Sequence, residues 1–116
     1  MLAGRRRLRL EDGRSLRLLT AMEVLEARRE AEELSKGERE KALCSNACLL
    51  SRALERRGRP VFADGRAVLE QLRVEEIEAL AARWGKFNRE ENPSATDGEG
   101  AVSALKKVWS TRPMSG

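Results

Sequence analysis

Residues 42–54 read Ala42-Leu43-Cys44-Ser45-Asn46-Ala47-Cys48-Leu49-Leu50-Ser51-Arg52-Ala53-Leu54, and this stretch decides the fold. Leu43, Ala47, Leu50 and Leu54 recur at helical spacing, while Cys44, Cys48 and Leu49 spread the apolar surface past half the circumference. A helix that is apolar on several sides is packed from several directions. The pattern therefore predicts a helix from about Glu38 to Arg57, ended by Gly58, at the centre of a mainly α fold. Ser45 and Asn46 sit beside its apolar face, where their ordinary use is local hydrogen bonding to backbone or solvent.

Upstream, Thr20-Ala21-Met22-Glu23 is a capping box, in which hydroxyl and carboxylate each satisfy a backbone amide. It predicts a helix over 21–35 with Val24, Ala27, Ala31 and Leu34 on one stripe, widened by Met22 and Leu25, and Gly37 as a left-handed C-cap. Before that, Leu8 and Leu10 alternate with arginine, as do Leu16 and Leu18 with Ser and Arg, around Asp12-Gly13. Period-two alternation about a turn dipeptide predicts a two-stranded β-hairpin. Such a hairpin is marginal alone, so its leucine face must lie on the helices.

Downstream, Pro60 keeps the residue before it extended, and Phe62 is expected to pin this connector to the core. Asp64 is a suitable N-cap for a short helix through Leu72. The run from Val74 to Asn88 carries apolar residues at 74, 77, 80/81, 84 and 87/88, with Glu75, Glu76 and Glu78 in its first turn. First-turn carboxylates complement exposed amides, and without a pocket they are solvated caps rather than an acid–base pair. Pro93 closes this helix. The expected architecture is a small helical bundle with an N-terminal β-hairpin over 1–92, followed over 93–116 by a Pro/Ser/Thr/Asp/Gly linker and a short amphipathic segment.

Composition agrees. The 116 residues include 16 Leu and 15 Ala against 6 Val and 1 Ile, a balance that favours helix because unbranched side chains lose little freedom there. The absence of His and Tyr removes the common proton shuttle and most hydrolytic triads. Cys44 and Cys48 stack one helical turn apart, too far for an unstrained disulfide, and two thiols are too few to ligate a structural metal. Free thiols fit a reducing cytoplasm. No apolar run reaches the ~20 residues of a membrane span. The net charge is +4, but it resides in residues 1–19, where Arg5, Arg6, Arg7, Arg9, Arg14 and Arg17 outweigh Glu11 and Asp12. One basic end on a balanced body argues against a duplex binder, whose cations track phosphates along a face. The competing reading from another class is a small basic DNA-binding or regulatory protein that uses this arginine cluster as an arm.

The order of parts carries a resemblance. The hairpin with its Gly turn leads into Leu19-Thr20, then into residues 42–50 with Arg52-Ala53-Leu54. Pro60-Val61-Phe62-Ala63-Asp64-Gly65 follows, then Glu75-Glu76-Ile77, and finally Arg83-Trp84-Gly85-Lys86-Phe87-Asn88-Arg89-Glu90-Glu91-Asn92-Pro93-Ser94. Over residues 8–94 the chain resembles the tail assembly chaperones of long-tailed bacteriophages and prophages of Gram-positive bacteria. The stretch 87–94 and the segment around 59–65 are its most specific parts. The resemblance implies a small, mainly helical protein of the host cytoplasm, absent from the mature virion. It would bind the phage tape measure protein and pass it to the tail tube protein, without cofactor, metal or catalytic residues. The chain departs from the pattern at Arg73, where a capping Ser or Thr is expected. It also stops soon after Trp109, which implies either the short product of a frameshifting pair or an altered C-terminal region.

A chaperone for apolar helices needs exposed apolar surface on a charged body. Candidate partner-binding residues are Leu105 and Trp109 on the C-terminal amphipathic segment, and Trp84 and Phe87 wherever the core leaves them open. For Trp84 and Phe87 ordinary core packing is the competing use. The short C-terminal segment requires a dock on its own domain, on a second copy in a homo-oligomer, or on a partner.

Overall fold

The computed structural model describes residues 6–92. They are mostly helical, with four α-helices and a small four-stranded antiparallel sheet. The elements are β1 (Arg7–Arg9), β2 (Ser15–Arg17), α1 (Ala21–Leu34), a 3-10 turn (Glu38–Glu40), α2 (Lys41–Ala53), β3 (Leu54–Arg56), β4 (Arg59–Pro60), α3 (Gly65–Gln71) and α4 (Val74–Glu91). The chain divides into two compact units, 1–85 and 86–116, and the described part of the second consists of residues 86–92. The segment expected over 93–116 lies outside the described residues.

In the sheet, β1 pairs with β2 through Leu8 and Leu16, joined by the turn Glu11-Asp12-Gly13. Gly13 has φ +93°, a value that suits glycine, and its N–H donates to the Leu10 carbonyl. The Asp12 carboxylate accepts from the Arg14 amide, the side-chain turn typical of Asp. These two strands are half of the sheet, because β2 also pairs with β3 and β3 with β4.

That pairing corrects the expectation of a helix to Arg57. Helix α2 stops at Ala53, and Leu54–Arg56 is a strand. Leu54 lies opposite Leu16, and both are fully buried. A leucine four residues after Leu50 suits a helical stripe and a buried strand equally, so spacing alone does not distinguish them. The strand wins because it satisfies the open edge of β2. Arg57 and Gly58 then form the two-residue turn to β4, with φ +55° and +79°, the signature of a type I′ turn. Gly58 is thus a turn residue and not a helix terminator. Pro60 is tolerated because β4 is an edge strand.

Helix α2 packs against α1, α3 and strands β2, β3 and β4. The main core joins Leu10, Leu16, Leu50, Leu54, Val68, Ile77 and Trp84, with Phe62 buried in the same cluster. A second cluster joins α1 to α2 through Ala27, Ala31, Cys44 and Cys48, small residues that let the two helices approach closely. Only Ala27 and Ala31 of α1 are buried. Met22 and Leu25 do not widen the stripe but face solvent. Val74 is likewise exposed, so the buried stripe of α4 begins at Ile77.

The caps follow local chemistry. The Glu23 amide donates to the Thr20 hydroxyl at 3.1 Å, and the Thr20 amide to the Glu23 carboxylate at 2.9 Å. Ala67 N–H donates to Asp64 at 3.0 Å. At α4 the Arg73 amide donates to Glu76 Oε1 at 3.0 Å, so Glu76 supplies half of a capping box although Arg73 lacks the hydroxyl for the other half. At α1 the expectation of a left-handed Gly37 fails: the helix ends on an extended Ser35, and Gly37 is itself extended with φ 174°.

Candidate functional site

Leu105 and Trp109 lie outside the described residues. Trp84 and Phe87 are 8% and 6% exposed, which makes both packing residues in this structure. The Trp84 indole N–H also donates to the Arg17 carbonyl at 2.8 Å, so its polar edge is satisfied as well as its ring. Among the described residues, the large apolar side chains that remain open are Met22 (55%), Leu25 (42%) and Val74 (49%). Met22 and Leu25 are three apart in α1 and therefore neighbours on one helix face.

That face is held firmly. Arg17, at the end of β2, donates from both terminal nitrogens to Glu23, at 3.1 and 2.7 Å. The guanidinium holds the Glu23 carboxyl down at about 2, with the Thr20 amide adding to the effect. Glu23 thus ties the first turn of α1 to the sheet while completing the capping box. On the sheet, Arg17 also reaches the buried Glu55 of β3 at 3.2 Å, and Arg7 of β1 donates to Glu55 at 3.1 Å. Arg7 and Arg17 are directly opposite in the ladder, and Glu55 neutralises the repulsion between them.

A second polar junction joins α1, α2 and α3. Glu30 accepts from Arg52 at 2.7 Å with one oxygen and from the Gly65 amide at 2.7 Å with the other. Gly65 opens α3 against Cys48, where a side chain would overlap the thiol. Burial first, and then the nearby Glu30 carboxylate, push the Cys48 thiol up to about 12; burial likewise raises Cys44. Both thiols are protonated at neutral pH and poor nucleophiles. Ser51 is buried with its hydroxyl donating to the Cys48 carbonyl at 2.7 Å, a local bond within α2.

Among the described residues no three His, Cys, Asp or Glu side chains gather as a metal-binding group, and no helix is long and apolar enough to cross a membrane. Glu75, Glu76 and Glu78 are exposed at the start of α4. The arrangement offers binding surfaces: the Met22/Leu25 face and an arginine-lined groove of about 750 Å³ where the two sheet turns meet. Arg14 and Arg57 enter that groove, and neither belongs to the predicted partner surface. The available signal was Gly58 ahead of Pro60-Val61, which marks a turn between extended segments. Comparison of the chain with known protein families, curated proteins and solved structures finds no match.

Proposed function

We propose that this chain is a non-catalytic chaperone of phage tail assembly, which covers apolar helices of the tape measure protein until the tail tube protein polymerises around it. The observation that carries this reading is the exposed Met22/Leu25 pair on α1. The capping box and the Arg17–Glu23 pair fix the start of the helix that carries these two residues, so the backbone there needs little further ordering when it docks. Full burial of a Met or Leu stabilises by about 1.5–3 kcal/mol, and roughly half of each surface is already covered. Two such side chains therefore add about 1.5–3 kcal/mol. Contacts of that size are reversible, as a chaperone that hands over its client requires. The resemblance over residues 8–94 supplies the client's identity, the host cytoplasm as the site of action and absence from the mature virion.

The test is co-expression with the tape measure protein of a long-tailed phage of Gram-positive bacteria. The parent chain should raise the client's soluble fraction and co-purify with it. Met22→Lys combined with Leu25→Lys should abolish both effects while leaving the melting temperature of the chain unchanged. Equal solubilisation by the double variant, or none by the parent, overturns the reading.

A further inference from the structure

The pairing of β2 with β3 brings the β1–β2 and β3–β4 turns to the same end of the sheet, where Arg56 donates to the Asp12 carbonyl at 3.2 Å. The groove there is lined by Arg7, Arg9, Arg14 and Arg57, against the single carboxylate of Glu11, which Arg83 already engages at 3.1 Å. Arg7 and Arg14 make internal ion pairs to Glu55 and Asp12. Arg9 and Arg57 make none among the described residues.

Arg57 supplies an independent sign. It occupies a position with φ +55°, where a type I′ turn favours Asn, Asp or Gly and a long side chain is strained. Among the described residues no hydrogen bond or ion pair of the Arg57 side chain offsets that strain, and strain of this kind collects at functional positions. Strand β1 adds a third feature. It is an edge strand, and Leu10 N–H donates to the Arg14 carbonyl at 2.8 Å. Hydrogen-bonded and non-bonded pairs alternate along an antiparallel ladder, so the N–H and C=O groups of the exposed Arg7 and Arg9 point away from β2.

We propose that this groove binds an extended, carboxylate-rich segment of a partner protein. The segment adds along the β1 edge and sets acidic side chains against Arg7, Arg9 and Arg57. Arg7 and Arg9 share one sheet face, so the matching ligand carries Asp or Glu at every second residue. The edge amides and carbonyls favour a peptide over nucleic acid, which has no main chain to pair with them. The cations are also confined to one sheet end instead of tracking a phosphate backbone. This surface is separate from the Met22/Leu25 face and does not depend on the chaperone reading.

Fluorescence anisotropy of the full chain with a fluorescein-labelled octapeptide of alternating Glu and Thr tests the proposal. Binding should weaken about tenfold in Arg9→Ala and again in Arg57→Gly, the scale of one lost charge-assisted hydrogen bond. Arg57→Gly should simultaneously raise the melting temperature, because glycine relieves the turn, so weaker binding cannot come from unfolding. A peptide of the same composition with its glutamates in one block, and a short duplex DNA, should both bind less tightly. The proposal is overturned if the alternating peptide does not bind, if both variants bind like the parent, or if the block peptide or the DNA binds equally well.

Discussion

Gly65→Ala isolates one close approach on which the packing of α3 depends. Gly65 has no positive φ, so alanine suits the backbone and the effect comes from space alone. The added methyl would overlap the Cys48 sulfur and lie 3.1 Å from both Cys48 Cα and Glu30 Oε2. Overpacking of this kind costs about 1–3 kcal/mol. Displacing Glu30 also weakens the charge-assisted bond from the Gly65 amide, worth roughly 1.5–3 kcal/mol. Alanine's better helix propensity returns less than ~1 kcal/mol in a first turn. The net loss is about 2–3 kcal/mol, which lowers the melting temperature of a domain this size by about 8–24 °C. Thermal denaturation followed by circular dichroism measures it. Cys48→Ala removes the sulfur, so the double variant should recover roughly 1 kcal/mol relative to the sum of the single losses. An unchanged melting temperature for Gly65→Ala, or strict additivity in the double variant, would refute the steric argument.

Glu23 has a folded-state pKa of about 2 against an ordinary 4.5, so its contribution is complete above pH 4.5 and disappears as the pH falls toward 2. The stability advantage of the parent over Glu23→Gln should accordingly be about 2 kcal/mol at pH 7, allowing for partial exposure, and close to nil near pH 2 in urea titrations. A constant difference across that range would contradict the Arg17–Glu23 account. Glu55→Gln should cost about 2 kcal/mol, because Arg7 and Arg17 then face each other without the buried carboxylate; its urea midpoint should drop at constant slope, and an unmoved midpoint speaks against the role given to Glu55. Both cysteines should resist a thiol-specific dye at pH 8 in the native state and react fully in urea, whereas fast native labelling would show that Cys48 is neither buried nor raised as described.

Signals confined to a few neighbouring residues were legible from the chain alone. Thr20 with Glu23, Asp64 with Ala67 and Gly13 in its turn act over one to four residues, and each behaves in the structure as its chemistry dictates. Ile77, Leu80, Trp84 and Phe87 are buried at the helical spacing that announced them. The fate of Leu54–Arg56 was not legible, because Leu54 satisfies a helical and an extended pattern equally. Its partner Leu16 lies far away in sequence. The same ladder gathers Arg7, Arg9, Arg14 and Arg57 around one groove, which linear charge counting assigns only to a basic N-terminus.

Sequence by itself therefore determined the helical class, most helix starts and the alternation of β1 and β2, since propensity, capping and turn chemistry act over short stretches of chain. Tertiary structure decided where α2 ends, which side of α1 meets water and which arginines share a groove. Those outcomes depend on which distant segments bury one another, and only the packed chain compares the alternatives.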